Sequence, residues 1–205
     1  MNYENMEKEI LIKILKQKDN MLKKLYLEKE KLNYYASTDA MTGVLNRRSG
    51  LELLDKKLKL SITNNKKFVI CFVDVDRLKM INDIFGHEEG DNCLISVAKI
   101  IRENIRKKDF VIRMGGDEFL VVLPETTMRE ANKAWSRICR RIEEINKNSC
   151  KYNLSLSYGL YEYDKRTQKE MCVSELIQKA DAEMYKKKLK KKKEFDDICI
   201  ININW

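Results

Sequence analysis

The chain has 205 residues, with 41 Lys and Arg against 32 Asp and Glu, a formal net charge of +9, one histidine and six cysteines. That length suits one domain with a proper core plus an accessory segment. A single histidine excludes a zinc site built on several histidines, and no apolar run is long enough to cross a bilayer. The positive charge gathers in the first helix and in the run from Lys186 to Lys193. Neither a stacked-aromatic platform nor a nucleic-acid motif accompanies it, so it reads as solvated helix ends with some phosphate-facing members, not as a DNA-binding face.

Residues 1 to about 36 contain no Gly or Pro and read as one amphipathic helix. Leu11, Ile14, Lys18, Met21, Leu25, Glu28, Leu32 and Tyr35 follow alternating three- and four-residue steps, a heptad seam interrupted by Lys18 and Glu28. The seam suits either packing on the chain's own domain or a parallel coiled coil that pairs two copies. Ser37-Thr38-Asp39 marks the break, so the expected division is 1–36 and 37–205. A helix from Leu45 to about Leu60 precedes a polar loop at Thr63 to Lys67. The run Phe68 to Val73 is a strand buried on both faces. Two helical segments reach about Arg106, joined by a tight loop that Gly86 and Gly90 permit. A hairpin over 110–123 ends at Pro124. A helix from about Met128 to Asn146, a strand from Tyr152 to Tyr161 and a helix from about Val173 to Lys191 follow, with a last edge strand over 198–203.

Cys71, Cys93, Cys139, Cys150, Cys172 and Cys199 form no CxxC pair and read as small buried thiols of a reducing compartment. Together with the lack of a signal peptide, this makes the cytoplasm the expected location.

Two acidic clusters carry the chemistry. Gly115-Gly116 between two apolar runs predicts a two-residue type I′ turn, which needs positive φ at both central positions. The turn delivers Asp117 and Glu118 to a hairpin tip, where adjacent charges repel and a divalent cation bound to phosphates would relieve them. Asp74 and Asp76 close the buried strand, and alternation puts both on one side with Val75 on the other. Acids from two strand ends suggest one metal site for phosphoryl or nucleotidyl transfer. Asp76 is equally open to capping the helix that starts near Arg77. Downstream, Asn82 and Asp91 have the donors and acceptors to read a purine, although their spacing equally fits a polar helix–loop–helix. His87 reads as a local hydrogen-bonding residue.

Further segments identify a family. Asp39-Ala40-Met41-Thr42-Gly43-Val44-Leu45-Asn46-Arg47-Arg48, the stretch from Asp74 to Asp83, Gly86-His87 with Gly90-Asp91, Gly115-Gly116-Asp117-Glu118-Phe119, Ser157-Tyr158-Gly159 and Ala180-Asp181-Ala182-Glu183-Met184-Tyr185 occur in order over about residues 37–193. In these the chain resembles the GGDEF-domain diguanylate cyclases. The resemblance implies an α/β fold of the α+β palm type shared with polymerases and nucleotide cyclases, a mostly antiparallel central sheet flanked by helices, here with an added N-terminal helix. It implies one GTP per domain, and two domains face to face in a homodimer that makes cyclic di-GMP and pyrophosphate. Mg²⁺, or Mn²⁺ in its place, would be held by the carboxylates of Asp74 and Asp117 and the carbonyl of Val75. Asp117 is also the implied acceptor of the 3′-hydroxyl proton, and Glu118 would assist at the metal site. Asn82 and Asp91 would recognise guanine and His87 would sit at the substrate pocket. Lys79, Lys188 and Lys192 would reach phosphates beside Gly115 and Gly116. A carboxylate such as Asp91 accepts both donors of the guanine edge, which favours GTP over ATP.

Arg106-Lys107-Lys108-Asp109 has the family's RxxD pattern, with five residues between Asp109 and Gly115. The resemblance makes Arg106 and Asp109 an inhibitory site for product, cyclic di-GMP, with Arg137 as a secondary contact. Two positions depart from the family: Leu78 stands where Phe is frequent, and Lys191-Lys192-Lys193 replaces the usual late Gly-Arg-Asn. Lys192 keeps a charge there but not a bidentate fork. The alternative is a nucleotide-binding regulator without turnover, acting through its helix or its product site. A cyclase making another dinucleotide is disfavoured by Asp91.

Overall fold

A computed structural model describes residues 7–148 and 151–201, with side chains through Lys191. The chain divides into two compact units after Thr38. The first contains α1 (Lys8–Ser37), a helix with no buried residue. Its seam residues Leu11 and Ile14 are half-buried, and Met21, Leu25, Leu32 and Tyr35 are exposed.

The second unit runs α2 (Arg47–Thr63), β1 (Phe68–Val75), α3 (Leu78–Phe85), α4 (His87–Asn104), β2 (Phe110–Arg113), β3 (Glu118–Pro124), α5 (Met128–Lys147), β4 (Leu156–Tyr163) and α6 (Val173–Ile201). The four strands form one antiparallel sheet in the order β2-β3-β1-β4. All eight residues of β1 are buried, which explains its unbroken apolar run. The two-residue period of the strand sorts them between two cores. Val69, Cys71, Val73 and Val75 join Leu94, Val97 and Ile101 of α4 and Trp135 and Ile138 of α5. Phe68, Ile70 and Phe72 join Leu54 and Leu58 of α2 and Leu176, Ala180 and Met184 of α6. Helices thus cover both faces of the sheet, as the palm expectation required.

Local chemistry fixes the helix starts. Asn46 caps α2 by accepting from the Ser49 N–H at 3.0 Å. Thr127 and Glu130 form a reciprocal capping box on α5. One glycine sets where α6 lies: a Cβ at Gly159 of β4 would collide with the backbone of Met184 and Ala180. Only a bare Cα allows α6 to approach β4 this closely.

Three expectations change. Helix α6 continues through Ile201, because Val173–Ile201 contains neither Gly nor Pro to stop it. The edge strand expected over 198–203 is therefore helical to Ile201, and its last two residues lie outside the described residues. Gly86 alone joins α3 to α4, at φ +87°, while Gly90 lies inside α4. The uniform burial expected of the cysteines fails: Cys71 and Cys93 are buried, Cys139 is half-buried and Cys172 is exposed. Cys150 and the Cys199 side chain lie outside the described residues. No described helix is long and apolar enough to cross a membrane.

Candidate active site

Strand parity aims Asp74 at the α2/α6 side of the sheet, following Phe72 and Ile70. It is 6% exposed. Register places it directly across from Glu118 on β3 and Ser157 on β4. The next residue, Val75, donates its N–H to the Asp117 carbonyl at 3.0 Å. The two acidic segments, far apart in sequence, therefore meet at one end of the sheet.

Helix α6 supplies the neutralising charge. Lys188 Nζ lies 2.8 Å from both oxygens of Asp74. Burial pushes the Asp74 carboxyl above its usual range; Lys188 opposes that rise, and the nearby charges of Asp117 and Asp76 add to it. Glu118 is likewise raised, first by burial and then by Asp117, Asp74 and Asp181. Asp181, on α6, thus adds its charge to the acid cluster, a part that sequence reasoning did not assign to it.

Asp76 has a different environment. It accepts hydrogen bonds from Ser155 Oγ and Ser157 Oγ, both at 2.6 Å, and from Lys191 Nζ at 3.0 Å. Burial alone would raise its carboxyl, but these donors outweigh burial and hold it below the usual range. The helix-capping reading of Asp76 is corrected by this geometry. The N-cap of α3 is Arg77, in the left-handed region at φ 63°, and the Asp76 side chain is turned to β4 and α6. Lys191, which stands where the family has glycine, also donates to the Leu156 carbonyl at 2.6 Å.

The signature turn differs from expectation. Gly115 and Gly116 do not take positive φ, and the connection is four residues long, from Met114 to Asp117. Met114 N–H closes it onto the Glu118 carbonyl at 2.8 Å. A longer loop removes the φ requirement of a type I′ turn. A Cβ added at Gly116 would meet nothing within 4 Å, so that position borders open space.

Arg113 holds this turn, a role the sequence reading missed. Its Nε donates to the Gly115 carbonyl at 3.2 Å and its Nη2 to the Gly116 carbonyl at 3.0 Å. Its Nη1 pairs with Asp39 at 3.0 Å. Asp39 also accepts from the Thr42 hydroxyl at 2.6 Å and its N–H at 2.9 Å. The segment that opens the domain is thus tied to the signature turn. An arginine closing an apolar strand before two glycines was the available signal.

Lys79 and Asn82 lie on α3, and His87 and Asp91 on α4. Lys79, His87 and Asp91 are exposed and Asn82 is half-buried. A Cβ at Gly90 would overlap the Asn82 side-chain amide, so that glycine lets Asn82 lie against the α4 backbone one residue before Asp91. The Lys192 side chain lies outside the described residues.

At the opposite end of β2, Arg106, Asp109 and Arg137 line one cavity of about 220 Å³, together with Thr126, Glu130 and Lys133. Asp109 Oδ2 accepts from the Arg106 N–H at 2.9 Å, and its Oδ1 is buried without a hydrogen-bond partner among the described residues. Burial pushes the Asp109 carboxyl up. Arg137 donates to the Asn104 carbonyl at 2.9 Å.

No group of three or more His, Cys, Asp or Glu side chains converges on a metal-sized space among the described residues. That does not conflict with Mg²⁺, which takes one or two protein carboxylates and completes its shell with water and phosphate oxygens. The all-oxygen set of Asp74, Asp117 and the Val75 carbonyl suits such a hard cation. The crowding of Asp74 by further carboxylates is the electrostatic deficit that a cation would fill.

Comparison with known proteins agrees with this arrangement. A family model described as "Diguanylate cyclase, GGDEF domain" matches residues 36–194. The probable diguanylate cyclase DgcJ of Escherichia coli (strain K12) is 36% identical over 124 residues, 60% of this chain and 24% of that protein. The crystal structure of diguanylate cyclase SiaD with its activator SiaC, from Pseudomonas aeruginosa, matches with a TM-score of 0.71 at 26% identity, covering 89% of this chain and 69% of that one. A microbial GGDEF domain studied for its interaction with cyclic di-GMP gives a TM-score of 0.67 at 29% identity, covering 78% of this chain and 94% of that one. The chain spans about a quarter of the length of the curated relatives DgcJ and MucR, 24% and 21%. The chain belongs to the GGDEF-domain diguanylate cyclase family.

Proposed function

We propose that this chain is a working diguanylate cyclase that joins two GTP molecules into cyclic di-GMP. The observation that carries the reading is the meeting of Asp74, at the end of β1, with Asp117, in the turn that leads into the adjacent β3, where Val75 N–H bonds to the Asp117 carbonyl at 3.0 Å. In each of two steps the 3′-hydroxyl oxygen of one GTP attacks the α-phosphorus of the other. The new O3′–P bond forms as the bond to the β-phosphate bridging oxygen breaks, and pyrophosphate leaves with that electron pair. Asp117 accepts the hydroxyl proton, and Glu118 beside it tunes that carboxylate.

Asp74, Asp117 and the Val75 carbonyl would hold a divalent ion, Mg²⁺ first and Mn²⁺ as substitute. Such an ion neutralises the triphosphate and stabilises charge on the attacking and leaving oxygens. Lys188 now clasps Asp74, and with substrate present it transfers to the phosphates as a mobile point charge. Lys79 and Lys192 add positive charge, and the open space beside Gly116, next to Gly115, leaves room for the phosphate chain. Asn82 and Asp91 select guanine, with His87 at the pocket edge. Arg113 keeps the signature turn in shape.

The reaction needs two loaded domains facing each other, and the exposed seam of α1 supports a parallel pairing of two copies that raises their effective concentration. The cavity of Arg106, Asp109 and Arg137 is the proposed product-inhibition site, supported by the buried, unanswered Asp109 oxygen. The decisive experiment incubates the purified chain with GTP and Mg²⁺ and identifies products by mass spectrometry over a range of protein concentrations. Cyclic di-GMP formed with the loss of two GTP and release of two pyrophosphate per product molecule, faster per chain as protein concentration rises, supports the reading. Bound but unconverted GTP would favour the regulator without turnover.

A further inference from the structure

We propose that Glu130 is a built-in competitor for Arg106, setting how tightly the Arg106–Asp109 cavity takes a guanine nucleotide. The inference rests on the product-site reading above and adds its regulation.

Glu130 does two jobs with two oxygens. Oε2 completes the capping box of α5, accepting from the Thr127 N–H and hydroxyl, both at 2.9 Å. Oε1, left over, accepts from Arg106 Nη2 at 3.3 Å. The cap fixes the carboxylate, so little further side-chain freedom is lost in aiming Oε1 at the guanidinium. The Thr127 backbone and hydroxyl, with Arg106, pull the Glu130 carboxyl down to about 2, so the competitor stays charged under all ordinary conditions.

The cavity's other groups define its guest. Arg106, Lys133 and Arg137 bring positive charge and Asp109 a buried acceptor without a donor. A guanidinium fork matches the O6 and N7 acceptors of guanine. A carboxylate matches the guanine N1–H and amino group, and the lysine and second arginine suit phosphate. A guest of this class must take Arg106 from Glu130. It must also place phosphate near the Glu130 charge. Glu130 therefore opposes binding in two ways while it stabilises the empty domain.

The contact is tunable because it is weak. The Arg106 and Glu130 side chains are 49% and 43% exposed, the regime in which ion pairs contribute little. Glu130→Gln is a clean probe, since glutamine serves equally at the third position of a capping box. It keeps the helix start and removes the competing charge.

The test measures cyclic di-GMP binding to the full chain by calorimetry, which needs no turnover and so is independent of whether the chain is active. Wild type, Glu130→Gln and Arg106→Ala are compared, with thermal melts to verify folding. The expected result is loss of binding in Arg106→Ala and about two- to fivefold tighter binding in Glu130→Gln, the range of one exposed ion pair. Loss in Arg106→Ala with unchanged or weaker binding in a folded Glu130→Gln overturns the competitor role and leaves the product site standing. Undiminished binding in Arg106→Ala overturns both.

Discussion

Around Asp76 every acceptor is answered: two serine hydroxyls at 2.6 Å and a lysine at 3.0 Å. Around Asp74, two residues earlier, one lysine faces a carboxylate that is crowded by others and pushed up by burial. The same strand end thus holds one acid in a completed structural network and one in a deficit. Natural chains satisfy their polar groups wherever stability is the only demand, and leave them strained where a ligand is to complete them. The contrast separates a residue that fastens α6 and β4 to the end of β1 from one that, in the proposed function, would take a cation and phosphates.

The largest expected effect breaks the contrast most sharply. Asp74→Asn and Asp117→Asn should each lower cyclic di-GMP formation by about 10²–10⁴-fold, the range for lost acid–base and charge-stabilising groups. Both should leave the melting profile near wild type. Asp76→Asn should do the reverse, costing about 1–3 kcal/mol of stability in denaturant titration through its orphaned donors, with turnover far less affected. If Asp76→Asn folds as stably as wild type and is as inactive as Asp74→Asn, the division of labour fails.

A second test reaches the same geometry through the backbone. Gly159→Ala forces a methyl against the α6 backbone, which should cost about 1–3 kcal/mol or more. It should also swing α6, and Lys188 with it, away from Asp74. Chemical denaturation reads the stability; unchanged stability would show that α6 does not need this close approach.

The smallest effect concerns an acid as well answered as Asp76 but remote from the site. Arg166 donates to both Asp164 oxygens, at 3.0 and 2.7 Å, and its hydrogen bonds, with Lys67 nearby, hold the Asp164 carboxyl at about 2. A depressed carboxyl contributes stability above its unfolded value that is lost as pH falls through its folded one. Arg166→Ala should therefore move acid unfolding to higher pH without changing turnover at neutral pH. An unmoved acid midpoint would contradict this.

Much of the site was legible in the sequence because it rests on local pattern. The apolar run ending in Asp74, and its alternation, fixed both the strand and the face that the acid occupies. What could not be read depends on distant partners. The fate of Asp76 was decided by Ser155, Ser157 and Lys191, 79 to 115 positions away, which no capping rule near Arg77 reveals. The Gly-Gly pair suggested positive φ, but a four-residue loop braced by Arg113 satisfied the turn differently. The Ile-rich run over 198–203 suggested an edge strand, while a helix with no glycine or proline to stop it runs through Ile201.

The most direct test is a crystal structure of the chain with a non-hydrolysable GTP analogue and Mn²⁺, located by its anomalous signal. The ion should lie between the carboxylates of Asp74 and Asp117, with Lys188 moved from Asp74 onto the phosphates. A bound analogue with Lys188 still clasping Asp74, and the metal elsewhere or absent, would contradict the reading of these acids as the site of chemistry.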